Sequence, residues 1–190
     1  MTTNIECDIS YISSIQEHPH TENLVWEILW ECEQDFYPPL STRDSTEQSQ
    51  LHTSREAESI SIAPLSYFEE LKKQHFLLAT DKATHTLIGF LSYRHGYESD
   101  ETIQYSPSNY ITTTCVRKSM RNRGVANQLF AFMEAEIPQS QQLPFITRRT
   151  WSTNYNQLSL YEKYGYTCIH RILNDRDNGV DTLYYAKRLN

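Results

Sequence analysis

Residues 111–133 read ITTTCVRKSMRNRGVANQLFAFM. A β-branched run ends at Val116, and a basic turn follows from Arg117 to Arg123. Gly124 then opens an amphipathic pattern through Leu129, Phe130 and Met133. The order is a strand, a cationic turn and a helix N-terminus. The first turn of a helix carries N–H groups with no intrahelical acceptor, and the macrodipole adds partial positive charge there. Such an end binds anions, most often phosphate. Gly124 has no Cβ, which lets a ligand come close to the backbone. The only acidic residue between Asp100 and Glu134 is Glu101, although the chain carries a net charge of −7. The stretch is expected to grip a polyphosphate.

A chain of 190 residues suffices for one domain with a core, and the whole of 1–190 is read as a single domain. Hydrophobic content is only 38%, and 13 tyrosines make up part of the shortfall. Net negative charge argues against general nucleic-acid binding and tolerates cationic substrates. Cysteines stand at 7, 32, 115 and 168 without a C-x-x-C pair, which reads as reduced, buried thiols. No long apolar run is present, so a soluble, cytoplasmic chain with no membrane partner is expected. His18 and His20 flank Pro19, a poor arrangement for ligation, and no metal is expected.

The remaining elements follow from periodicity and turn residues. Strands are expected over 5–12, 75–80, 87–94, 109–116, 144–151, 166–173 and 182–189. Helices are expected from Thr21 to about Pro38, over 64–74, from Gly124 to about Ile137, and over 153–164. Residues 41–59 are Ser/Thr/Gln/Glu-rich and read as a mobile loop; Glu98–Ser108 reads as a polar loop. The order β-α-α-β-β-β-α-β-α-β-β favours one mixed sheet with helices on both faces.

A second constellation lies at 154–166, NYNQLSLYEKYGY. Asn154 and Tyr161 are two helical turns apart and share a face with Leu158. Read alone, Tyr161 is a half-buried packing residue in a helix that Gly165 ends. Together the two constellations resemble the GNAT superfamily of acetyl-CoA-dependent N-acetyltransferases. Arg121, Gly124 and Ala126 fill its Arg/Gln-x-x-Gly-x-Gly/Ala motif. Leu160-Tyr161-Glu162-Lys163 and Gly165-Tyr166 fill its second phrase, with Tyr166 for the usual Phe.

The resemblance implies an α/β fold with a mostly antiparallel twisted sheet of about seven strands, splayed between strands 4 and 5. It implies acetyl transfer from acetyl-CoA to an amine by direct attack. The backbone from Asn122 through Arg123, Gly124, Val125, Ala126 and Asn127 would hold the pyrophosphate, with added charge from Arg121, Arg123 and Lys118. Cys115 and Val116 would offer backbone groups to the pantetheine amides, and Val116 N–H a donor to the thioester oxygen. Asn154 would bond the cofactor arm or a water, and Tyr161 would be the general acid for the thiolate. Glu33, Asp35, Glu69 and His95 are candidates for the base, none of them preferred. Cys115 reads as a packing thiol rather than a nucleophile.

The family builds its acceptor site from the first two helices, the loop between them and the last strands, here residues 37–60 and 174–181. The acidic residues Glu31, Glu33, Asp35, Glu47, Glu56 and Glu58 fit a cationic acceptor, and a solvated acidic face explains them equally well. Arg148 and Arg149 fall on opposite faces of a strand; one could hold a substrate carboxylate, with the other on the surface. A small molecule or a peptide is the expected partner, and homodimers are common in the family. The alternative is a non-catalytic acyl-CoA sensor of the same fold; an RNA-binding module built on Arg117–Arg123 fits the net charge poorly.

Overall fold

The run His75–Asp81 (β2) sends Phe76 and Leu78 to one apolar cluster, and Leu77 and Ala79 to another. Side chains alternate across a strand, so a strand apolar at every position needs cover on both sides. Two helix layers supply that cover. The computed structural model describes residues 4–46, 63–176 and 178–189.

In chain order the other elements are β1 (Cys7–Ile12), α1 (Pro19–Cys32), α2 (Leu65–Leu71), β3 (Leu87–Tyr97), β4 (Ser108–Val116), α3 (Val125–Ala135), β5 (Phe145–Trp151), α4 (Tyr155–Lys163), β6 (Thr167–Ile172) and β7 (Thr182–Arg188). The seven strands run β1-β2-β3-β4-β5-β7-β6 across one sheet. Only β4 and β5 are parallel neighbours. The fold is the mixed, mostly antiparallel α/β sheet expected, with the elements in the expected order.

α1 starts on Pro19, whose missing N–H is harmless in a first turn. It buries Val25, Ile28, Leu29 and Cys32 beside Tyr67, Phe68 and Leu71 of α2 on one face of the sheet. α3 buries Val125, Leu129, Phe130 and Met133 on the other face, together with Tyr161 of α4.

Several boundaries shift. α1 stops at Cys32, and a 3-10 turn over Glu33–Asp35 carries the chain toward Tyr37. α3 ends at Ala135, two residues before the expected stop. The polar connection after β3 holds a 3-10 helix at Asp100–Tyr105. Of the loop expected at 41–59, residues 47–59 lie outside the described residues. Cys7, Cys32 and Cys115 are buried thiols, but Cys168 is exposed, because β6 is an edge strand paired only with β7. No described helix is long and apolar enough to cross a membrane.

β4 and β5 touch through just three pairs, Asn109↔Ile146, Tyr110↔Thr147 and Ile111↔Arg148. Past Ile111 and Arg148 the strands part. β4 stays paired to β3 and β5 to β7, so the sheet opens as a V with its vertex at Ile111.

Candidate active site

The V is the mouth of a cleft of about 610 Å³. Its walls come from β4, β5, the turn before α3, the first turns of α3 and α4, and the end of α1. Cys115, Val116, Arg121, Asn122, Gly124, Val125, Ala126, Asn127, Asn154 and Tyr161 all line it. Of the residues expected to hold the cofactor, Arg123 and Lys118 stand outside that wall.

β4 presents backbone to the cleft in alternation. Arg117 N–H donates to Ile88 O of the neighbouring strand (2.9 Å). Two residues back, Cys115 therefore turns its N–H and C=O to β3, opposite Phe90. Val116 and Thr114, in the non-hydrogen-bonded positions, point theirs toward the parted β5. The expected backbone role of Cys115 is thus corrected: its main chain belongs to the β3 ladder, and Thr114 is the partner of Val116. Counting two residues back from Val116 was the available signal.

Beyond β4 the turn is tightly wound. Asn122 (φ 59°) and Gly124 (φ 79°) both adopt the left-handed conformation. Alternation of handedness along such a turn brings successive N–H groups toward one side. Among the described residues, the N–H groups from Asn122 to Asn127 find no protein acceptor, and Gln128 N–H is the first to donate into α3, to Gly124 O (3.1 Å). The need for glycine at 124 is conformational. Its φ suits no ordinary side chain, and a Cβ there would lie 3.2 Å from Asn4 Oδ1. The N-terminal strand entry is tied down beside this turn: Ile5 N–H donates to Arg123 O (3.0 Å) and Gln128 Nε2 to Ile5 O (2.7 Å).

Two cationic side chains of the turn, Arg121 and Arg117, are occupied elsewhere. Arg121 Nη2 reaches Asp35 Oδ2 (2.5 Å) and Cys32 Sγ (3.3 Å), and its Nε donates to Val116 O (3.2 Å). Arg117 pairs with Glu27 (2.9 Å) and Glu31 (3.5 Å), while Lys118 N–H donates to Glu31 (2.5 Å). Glu27, Glu31 and Asp35 recur every four residues, so they form one stripe along α1 and the turn after it. The acidic residues Glu31 and Asp35 pair with the basic turn, which accounts for them without an acceptor. Glu33 is buried and accepts bonds from Ser41 N–H (3.1 Å), the Ser41 hydroxyl and the Gln34 amide. Among the other base candidates, Glu69 pairs with Lys72 (2.9 Å) and exposed His95 lies 2.9 Å from Asn109 Oδ1. Neither lines the cleft.

Cys32 and Cys115 meet across α1 and β4 at the cleft wall. The hydrogen bond from Cys115, with Arg121 alongside, pushes the Cys32 thiol down to about 7 against the opposing effect of burial. Cys115 moves up, because it is buried and sits beside Cys32.

Tyr161 is set by the end of its helix. Tyr166 N–H donates to Tyr161 O (2.9 Å) and Gly165 N–H to Glu162 O (3.1 Å), the paired bonds of a Schellman end. Gly165 takes φ 76° to allow it. The rings of Tyr161 and Tyr166 then lie 5.8 Å apart, and Tyr185 meets Tyr161 edge-on at 5.2 Å. Asn154 caps the helix without bonding its amides; its Nδ2 donates instead to Thr150 Oγ1 (3.1 Å).

Arg148 is 2% exposed and caged by three rings, with its guanidinium carbon 4.3 Å from Phe130, 4.6 Å from Tyr161 and 4.5 Å from Tyr166. Its Nη2 donates to Tyr166 Oη (3.4 Å), and its buried Nε has no partner among the described residues. Arg149 points to the opposite face. Its Nη2 donates to Thr46 O (3.2 Å), and Arg94 donates to the hydroxyl of the same Thr46 (3.0 Å). The expectation that one of the two is a surface residue fails: β5 is covered on both faces.

On the Arg149 side, Arg176 and Asn178 meet Tyr37, while residues 47–60 of the segment expected at 37–60 lie outside the described residues. Arg176 Nη1 donates to Tyr37 O (2.5 Å) and its Nε to Thr182 Oγ1 (2.9 Å). Arg43 donates from Nε (3.2 Å) and Nη2 (2.8 Å) to Pro38 O. Burial, together with neighbouring Arg149, lowers Arg43 to about 10; burial also lowers Arg176 far below the ordinary arginine range, helped by Arg43 and Arg149. Burial opposes the charge on Arg149 as well, but Tyr110 and Tyr184 outweigh it and hold this arginine above its usual value. Burial raises both phenols, so near neutrality they offer dipoles rather than charge. Among the described residues no group of His, Cys, Asp and Glu is arranged to hold a metal.

Residues 72–168, just over half of the chain, match the family model described as acetyltransferase (GNAT) domain. No curated protein matches the chain in sequence. Among solved structures, an N-acetyltransferase from Staphylococcus aureus Mu50 superposes with a TM-score of 0.63 at 13% identity, over 96% of this chain and 99% of that one. Arabidopsis thaliana NAA60, in complex with a bisubstrate analogue, gives 0.58 at 18% identity over 96% and 99%. An aminoglycoside 6'-N-acetyltransferase complexed with coenzyme A gives 0.60 at 14% identity over 95% and 96%. At these identities the structures speak for the fold, and the sequence match supplies the family: this chain belongs to the GNAT acetyltransferases.

Proposed function

We propose that the chain moves an acetyl group from acetyl-CoA to a primary amine of a small molecule or peptide by direct attack, with Tyr161 as the acid for the departing thiolate. One observation carries this reading. A row of acceptor-free amides, 122–127, heads a cleft whose other wall holds Tyr161. The fold neighbours with coenzyme A or a bisubstrate analogue bound support it by likeness.

Acetyl-CoA supplies an acyl group activated as a thioester. The amides of Asn122 to Asn127, at the positive end of α3, bind its pyrophosphate. The left-handed turn aims them without a charged side chain, which suits the pairing of Arg121 with Asp35. Thr114 offers main-chain groups along the parted strand and Val116 its N–H, which can donate to an oxygen that gains negative charge. Asn154 holds the arm from the α4 side. The phenol of Tyr161, fixed by the Schellman end and its three aromatic and cationic neighbours, delivers its proton to the sulfur.

The test is thermal unfolding with and without acetyl-CoA, followed by thiol release on adding amines. Cofactor at ~100 times its Kd stabilises the fold by about 2.7 kcal/mol. An unmoved unfolding curve at millimolar acetyl-CoA overturns the proposal.

A further inference from the structure

Arg148 stands at the vertex of the V, opposite Ile111, and its side chain reaches the face of the sheet that α3 and α4 cover. Among the described residues it makes no ion pair, and its one hydrogen bond is the long one to Tyr166 Oη (3.4 Å). Tyr166 Oη in turn lies 3.4 Å from Glu134 Oε1, and the other oxygen of Glu134 holds Lys187 (2.6 Å). Glu134 is thus bonded to Arg148 only through a phenol, and it serves a second cation. A neutral chain of similar volume often replaces a buried ion without loss of stability. Packing by itself is therefore a weak reason for a charge at this place.

The rings around the guanidinium differ in what they offer. Phe130 has no hydroxyl. Tyr166 is bonded at its hydroxyl, and burial pushes it up to about 12 against the lowering effect of Arg148. Tyr161 alone of the three lines the cleft. Among the described residues its hydroxyl bonds no protein group, and it is not shut in as the hydroxyl of Tyr93 is. The guanidinium carbon lies 4.6 Å from the centre of the Tyr161 ring.

Proton delivery to the thiolate of coenzyme A breaks the Tyr161 O–H bond, forms an S–H bond and moves the negative charge from sulfur to the phenol oxygen. An ordinary phenol holds its proton more tightly than an ordinary thiol, so the step runs uphill without help. The proton that the amine loses on acetylation returns through solvent and restores the phenol.

We infer that Arg148 is a positioning residue for the acid step: its guanidinium clamps the Tyr161 ring and holds the negative charge that the phenol oxygen takes over from sulfur. The inference rests on the acetyl-transfer reading above. A cation is attracted to the face of a neutral ring, and more strongly to a ring that carries a full negative charge. The help is greater as the proton moves than before it, so it raises kcat rather than cofactor affinity.

The experiment is thiol release at saturating acetyl-CoA with spermidine, an aminoglycoside and twenty α-amino acids as acceptors, the fastest being carried to the variants. Arg148→Met is expected to lower kcat by about tenfold or more, with the KM for acetyl-CoA changed by less than about twofold. Arg148→Lys is expected to recover part of the loss. In a Tyr161→Phe background, Arg148→Met is expected to cost less than about twofold more, because no phenolate is left to hold. Unfolding curves with and without acetyl-CoA, recorded on each variant, show that the fold and the cofactor site survive. Should Arg148→Met lose cooperative unfolding, Arg148→Gln set against Arg148→Lys makes the same comparison of charge removed with charge kept. Undiminished kcat in Arg148→Met, Lys no better than Met, or losses that multiply in the double variant overturn the inference. An unaltered chain that acetyl-CoA does not stabilise overturns the acetyl-transfer reading itself.

Discussion

Two arginine-rich regions of this molecule are solved in opposite ways. The turn at Arg117–Arg123 lies at the surface and meets an acidic stripe on α1, where Arg117 pairs with Glu27 and Glu31 and Arg121 with Asp35. The interior arginines 43, 148 and 176 are wrapped in rings, carbonyls and hydroxyls. Water screens the first set, and its ion pairs contribute little to stability. The second set gives up hydration and is held by packing, so its removal is costly. The basic turn advertises phosphate binding in the sequence, yet Arg117 and Arg121 bond the protein. Among the described residues, the donors left at that helix end include the backbone amides of 122–127.

Truncating the caged arginine has the largest expected effect. Arg148→Ala empties the space among Phe130, Tyr161 and Tyr166 and lowers unfolding stability by about 3 kcal/mol or more, read from denaturant midpoints. Arg117→Ala at the surface changes it by less than about 1 kcal/mol. Equal effects would erase the distinction between the two regions. Gly124→Asp puts a side chain at φ 79° against Asn4 and a negative charge among the free amides. Stabilisation by acetyl-CoA should disappear in that variant, while Arg121→Ala should weaken binding no more than about threefold. The reverse ranking would return phosphate recognition to the side chains.

Tyr161→Phe should lower kcat by about tenfold or more with cofactor affinity unchanged. Full turnover would make Tyr161 only a packing ring for Arg148. The smallest effect is spectroscopic. Thiolate absorbance should place the Cys32 midpoint at about 7, set first by the Cys115 hydrogen bond and then by Arg121. Arg121→Ala should move that midpoint upward, because the cation beside the sulfur favours the thiolate. An unmoved midpoint would mean that Arg121 points away from α1.

Element order and the two motif segments were legible because apolar periodicity and glycine placement are local. Gly124 and Gly165 both carry the positive φ that helix-end chemistry requires, and at 124 a Cβ would also crowd Asn4. The role of the acidic stripe was not legible because its partners lie some 90 residues away in the chain, at Arg117 and Arg121. Adjacent residues 148 and 149 were correctly placed on opposite faces. That both faces are covered depends on α3 and α4 on one side and on residues 37–46 and 174–182 on the other. Arg43 and Arg176 stand in segments without periodicity, so nothing local marked them as buried. Thr114 could have been found from Val116 by alternation alone.

The three-pair contact between β4 and β5 has a consequence for how a bound ligand would be sensed. Past that neck, alternate amides of one strand have no strand beside them, so an occupant lying in the gap acts as a missing rung of the sheet. Hydrogen–deuterium exchange should then slow at Thr114 and Val116 on loading with acetyl-CoA while Cys115, already laddered to Phe90, keeps its rate: a guest read out as every second residue of a single strand.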